Sequence, residues 1–190
     1  LLEAADAMAM IREHAAEWHV DPDAIAVIGF SAGGHLAANL ATSTSDDVLV
    51  AHGYDPDAVR PNGLMLAYPV ITSGPLAHRG SFDSLLGERR NDSQALESVS
   101  IERHIDAKTP PVFVWHTVPD ETVPYENTLM LIDACKKAGV SIEAHLFPQG
   151  GHGLSLGTAE TAWQGVNGIE PSIQIWPQLA VSWMRRTFAR

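Results

Sequence analysis

The chain has 190 residues, 45% of them hydrophobic and 18% charged, which fits one soluble globular domain with room for a sizeable core. Its net charge of −11, with lysines and arginines scattered rather than clustered, speaks against phosphate backbones and anionic lipid, so neither nucleic acid nor a membrane is an expected partner. Apolar runs such as AIAVIGF and PVFVW are far too short to span a bilayer, and Cys135, the single cysteine, leaves no intrachain disulfide. No basic stretch followed by an apolar one opens the chain, so a cytoplasmic location is the expectation.

Residues 1–19, rich in Ala, Leu, Met and Glu, predict a helix that Asp21-Pro22 breaks. The continuous apolar run 24–30 predicts a strand buried on both faces, and HLAANLAT after it returns to helical composition. Asn62-Gly63 signals a turn into a second buried strand over 63–71. Residues 72–107 are mixed and polar, with short helical pieces at SFDSLLGE and SQALESVS. Pro110-Pro111 opens a third strand, VFVWHTV, and 125–138 predicts an amphipathic helix stopped by Gly139. SIEAHLFP alternates enough to be an edge strand, QGGHGLSLG is a glycine-rich loop, and WPQLAVSWMRRTF is a closing helix begun by proline. Alternating strands and helices predict a three-layer α/β/α sandwich around a mostly parallel sheet.

Between the first strand and its helix stands Gly29-Phe30-Ser31-Ala32-Gly33-Gly34-His35. A turn needs one glycine; three around a hydroxyl fit the G-x-S-x-G pattern, in which a sharp turn thrusts the serine above the sheet. In open parallel sheets ligands bind beyond the carboxyl ends of the strands. Ser31 follows the first strand, Asp120 the third and His152 the fourth, so three reactive side chains gather at that end. Serine is a weak nucleophile until a base takes its proton, and imidazole suits that role when a carboxylate orients its other nitrogen. Glu121, beside Asp120, is the alternative carboxylate. Nine histidines show no H-E-x-x-H spacing, so neither a metal nor any other cofactor is expected. His35 and His116 read as structural, and Cys135 as a small core residue. Trp163 and Trp176 read as core first and as walls of a substrate cleft second.

The segments GFSAGGHLA, TPPVFVWHTVPDETVPYENTLML and LFPQGGHGLSLG resemble the α/β-hydrolase esterases related to carbohydrate acetyl esterases and feruloyl-esterase-like enzymes. The resemblance runs over nearly the whole chain and implies a serine carboxylic-ester hydrolase. It places the nucleophile on Ser31, the acid on Asp120 and the base on His152, with the amide of Ala32 as an oxyanion donor and Gly33 beside it facing substrate. The implied substrate is a short acyl ester, foremost an O-acetylated carbohydrate. A peptidase or amidase of the same fold and a non-catalytic α/β fragment are the alternatives. Such esterases carry a glycine-rich loop ahead of the first helix, supplying a second oxyanion amide. The expectation is therefore a domain shortened at its N-terminus, which pairs with a missing segment or with a second copy of itself.

Overall fold

The computed structural model describes residues 1–163 and 167–189. Helix α1 (Leu2–Glu13) ends earlier than its composition suggests, and residues 14–19 form turns. Arg12 near its end is drawn to the carbonyl oxygens of Ala58 and Arg60. His14 stacks on Trp18 with ring centroids 5.0 Å apart, and His19 turns the chain at φ 55°.

Strand β1 (Ala26–Phe30) leads into α2 (Ala32–Ala41), and the short helices α3 (Asp46–Ala51) and α4 (Pro56–Val59) complete the crossover to β2 (Gly63–Ala67). Two more short helices, α5 (Arg79–Leu86) and α6 (Ser93–Ser98), precede β3 (Val112–Thr117). Helix α7 (Glu126–Ala138) carries the chain to β4 (Ile142–Phe147), and α8 (Trp176–Thr187) closes it. The sheet order is β1-β2-β3-β4, every pair parallel.

The period of two along each strand divides the core into two layers. Leu64 and Leu66 of β2 and Val112 and Val114 of β3 meet Ala37, Ala38 and Ala41 of α2 and Leu131 and Cys135 of α7. Met65, Ala67, Phe113 and Trp115 point the other way, onto Trp176, Ala180 and Trp183 of α8. With α2 and α7 on one face and α8 on the other, the sheet is the middle layer of the α/β/α sandwich that the sequence predicts.

Two strands differ from expectation. Strand β1 is not buried on both faces: it is an edge of the sheet, and Ile28 is 41% exposed. The cause is coverage: α8 lies over β2 and β3, and although Ala26 and Phe30 of β1 pack against its cluster, Ile28 between them is left bare. The second strand stops at Ala67 rather than 71, because Tyr68 takes φ 39° and bends the chain out of the ladder. Val70 and Ile71 stay buried all the same, with the Ile71 and Thr72 amides donating to Asn127 Oδ1 at 3.0 and 3.1 Å.

The β1–α2 turn depends on close backbone approach. A Cβ on Gly29 would sit 2.3 Å from the Gly33 carbonyl oxygen, and one on Gly34 would sit 2.9 Å from Pro69 Cβ. A Cβ on Gly33 would meet nothing within 4 Å. The glycines that the turn requires are thus Gly29 and Gly34. Gly29→Ala should lower stability by about 1–3 kcal/mol through overpacking, whereas Gly33→Ala should be neutral or stabilising by up to about 1 kcal/mol. Urea unfolding of the two variants measures the contrast, and an equal loss in both would contradict it.

Candidate active site

Ser31 occupies the junction between β1 and α2 with φ 53° and ψ −121°, a conformation that side-chain-bearing residues rarely adopt. Hydrogen bonds fix it there: its N–H donates to Ala67 O at 3.0 Å, and its carbonyl accepts from Gly34, His35 and Val70. The hydroxyl leaves the turn toward the loop after β4, where Ser31 Oγ lies 2.7 Å from His152 Nε2. The opposite nitrogen, His152 Nδ1, lies 2.6 Å from Asp120 Oδ2. A carboxylate only accepts, so Nδ1 carries the hydrogen and Nε2 is left to take one from the serine.

Asp120 is 5% exposed. Its Oδ1 accepts from the Thr122 and Val123 amides, both at 2.9 Å, and its Oδ2 faces His116 Nε2 at 3.2 Å as well as His152. Burial alone would raise the Asp120 carboxyl; the hydrogen bonds from His116, His152 and Val123 outweigh it and hold the group well below the usual carboxylate range. Glu121, the alternative acid, is exposed, so Asp120 is the carboxylate that the fold turns toward His152.

The loop carrying His152 is glycine-rich because it bends repeatedly: Gly150, Gly153 and Gly157 have φ of 100°, 78° and 68°. Side chains from around it pin it, Gln174 Nε2 among them, donating to Gly157 O at 2.7 Å. Thr117 Oγ1 donates to Gly151 O at 3.1 Å, Trp176 Nε1 donates to Ser155 O at 2.8 Å, and Tyr68 Oη accepts from the Ser155 amide at 3.1 Å. The Tyr68 ring also stands edge-on to the His152 ring, 4.9 Å between centroids. Tyr68 is the residue that sequence reasoning missed, hidden in a run read as strand; Pro69 directly after it was the available signal, since proline restricts its predecessor.

Other candidates fall into place. The amide of Ala32 opens α2 beside the serine, where the helix dipole favours negative charge, and no acceptor among the described residues engages it. Gly33 follows it, facing open space. A cavity of about 420 Å³ adjoins Ala32, lined mainly by apolar side chains including Leu36, Phe82 and Leu85. His35 is buried and structural: Nε2 donates to Val99 O at 2.8 Å, Nδ1 accepts from Asn39 Nδ2, and burial pushes its imidazole down. Cys135 is buried in the core, its thiol pushed up to about 12 by desolvation. Trp176 is core, but Trp163 is 43% exposed and lies over Gly168. Among the described residues no group of three His, Cys, Asp or Glu side chains could hold a metal ion.

The depressed carboxyl of Asp120 links folding to pH. A group whose folded pKa is lowered contributes stability above the unfolded carboxylate pKa and loses it as pH falls through the folded value. Acidification below the ordinary carboxylate range should therefore weaken the fold, and Asp120→Asn should flatten that part of the curve. Urea midpoints across the acid range measure the slope, and identical slopes in the two proteins would contradict the linkage.

Comparison with known proteins bears on the family and the fold. The BD-FAE family model matches residues 3–134, more than half of the chain. Among curated proteins the chain is 34% identical over 161 residues to endo-1,4-beta-xylanase B of Butyrivibrio fibrisolvens, covering 84% of this chain and 25% of that protein. It is 30% identical over 153 residues to an acetylxylan esterase of Xylanibacter ruminicola, covering 78% and 30%. Among solved structures, an acetyl ester-xyloside bifunctional hydrolase from Caldicellulosiruptor lactoaceticus superposes with a TM-score of 0.79 at 37% identity, covering 97% of this chain and 64% of that one. The carboxylesterase Cest-2923 from Lactobacillus plantarum gives 0.78 at 28% identity, covering 96% and 65%. The chain thus spans under a third of these curated relatives and just under two thirds of these structural ones. Across that span the fold is that of an α/β-hydrolase, and the chain belongs to the BD-FAE family.

Proposed function

We propose that the chain is a carboxylic-ester hydrolase working through Ser31, His152 and Asp120, with O-acetyl groups of carbohydrates as its substrates. The observation that carries this reading is the unbroken relay from hydroxyl to imidazole to buried carboxylate, 2.7 and 2.6 Å, at a serine held in a strained turn. Ser31 Oγ attacks the acyl carbon as His152 Nε2 takes its proton. The oxyanion that forms lies at the α2 N-terminus, against the Ala32 amide with Gly33 beside it. Collapse expels the alcohol, which takes the proton from His152. Water then attacks the acyl-serine with His152 again as base, and the carboxylate product leaves a free Ser31. Relatives described as an acetylxylan esterase and an acetyl ester-xyloside hydrolase support the choice of acetylated sugars.

One amide is half of an oxyanion hole, and removing one donor of this kind typically costs about 10²–10³ in turnover. The free edge of β1 runs up to Ser31, and a strand added along it would deliver a second amide to the same point. We assign that strand to a segment preceding the chain or to a second copy of it. Sedimentation with parallel turnover decides: a lone monomer hydrolysing esters at roughly 1–10³ per second would remove this requirement.

For the triad, incubation with a short-chain nitrophenyl ester or a fluorophosphonate should give a covalent adduct on Ser31, lost in Ser31→Ala with the fold intact. Mass spectrometry locates it, and an adduct on another residue would sink the assignment. Faster turnover of a matched amide than of the ester would point to an amidase instead.

A further inference from the structure

Below the serine–histidine–aspartate relay lies a second imidazole that the proposed chemistry leaves unused. His116, on β3 four residues before Asp120, is completely buried. Enclosing an imidazole this fully is costly unless each nitrogen finds a partner. Here both do. Nε2 faces two acceptors, Asp120 Oδ2 at 3.2 Å and Val123 O at 3.0 Å, so it carries a hydrogen and donates to both. Nδ1 meets the hydroxyl of Thr128, also buried, at 2.8 Å in the first turn of α7. One side chain thus joins the end of β3, the acid loop and the helix after it, in a single orientation.

We propose that His116 is a positioning residue for ester hydrolysis: it holds the Asp120 carboxylate with Oδ2 aimed at His152 and draws charge from that oxygen. The proposal rests on the reading of the site as an esterase. The same oxygen serves both histidines, and its partner Oδ1 is held by two amides, so four donors leave the carboxylate no freedom to rotate. A donor on Oδ2 lowers its proton affinity, which keeps the hydrogen on His152 Nδ1 when the imidazolium forms. A residue that merely filled space would do neither. The titratable groups facing Asp120 are His116 from β3, His152 from the loop after β4 and Tyr68 from the end of β2; the Ser31 hydroxyl faces the far nitrogen of His152.

The test compares His116→Leu, His116→Gln and Thr128→Val in the full chain, with two readouts. The first is the proton resonance of His152 Nδ1–H, which its short bond to a carboxylate places far downfield and which needs no substrate. The second is kcat and KM on an acetyl ester. In His116→Leu the carboxylate carries more charge toward His152, so the resonance should move further downfield. In the same variant kcat should fall about tenfold, the equivalent of one lost hydrogen bond to a charged group, with KM held. His116→Gln, which can still donate to Oδ2, should recover most of both. An unmoved resonance in a folded His116→Leu protein, or kcat and KM changing only with the folded fraction, overturns the proposal. Should His116→Leu fail to fold, Thr128→Val decides: it keeps the imidazole but removes the hydroxyl that fixes it, and a resonance and kcat like those of the parent overturn the proposal. A shifted resonance with no ester turnover in any variant would leave the role of His116 at Asp120 standing and would remove the esterase reading alone.

Discussion

The backbone of Ser31 at positive φ is the constraint on which the rest of the site depends. A serine in that region costs about 1–3 kcal/mol and persists only where its surroundings over-determine it. They do so through both of its backbone polar groups, which bond to Ala67 on the neighbouring strand and to Gly34, His35 and Val70. Those bonds require α2 to begin immediately beside β1, and that nearness is possible because Gly29 and Gly34 have no Cβ to collide with backbone and Pro69. The bend at Tyr68 belongs to the same arrangement, since it brings Pro69 and Val70 onto the turn and leaves the phenol beside His152. A hydroxyl pointing away from the sheet is the outcome of these contacts.

Much of this was legible in the sequence, and for identifiable reasons. The strands that became β2 and β3 are continuous apolar runs, and such runs signal burial on both faces. The reactive residues stand at strand ends in an order that the parallel topology carries to one side of the sheet. Glycine spacing around Ser31 marked the turn, although it could not say which glycine packs against what; Gly33 completes the pattern yet faces open space. Strand β1 shows the limit. Its composition is that of a central strand, yet among the described residues it pairs with β2 alone, because composition records the environment that a strand suits and not its place in the sheet order.

What sequence could not supply was the supporting layer. Nothing local marks Tyr68 as the acceptor for an amide 87 positions away, or places the Asn127 side chain against the Ile71 and Thr72 amides. His116 is the sharper case. A histidine at the end of an apolar strand reads as packing, and it is packed; its partners, Val123 and Thr128, are ordinary residues whose donors and acceptors matter only once the loop has closed. Such networks are specified by tertiary geometry and carry no periodicity of their own.

The hydrogen bond between Ser31 and His152 joins residues 121 positions apart, and Asp120 reaches His152 from 32. Contacts of such separation form only after long loops have closed, and parallel strands joined by crossovers are slow to pair for the same reason. From that separation the relay is expected to form late in folding. A collapsed intermediate with its helices formed and its loops loose would own every reactive residue and none of the reactivity. Covalent capture of Ser31 during refolding would then count completed molecules rather than compact ones, making the site a clock for the last step in the assembly of its own scaffold.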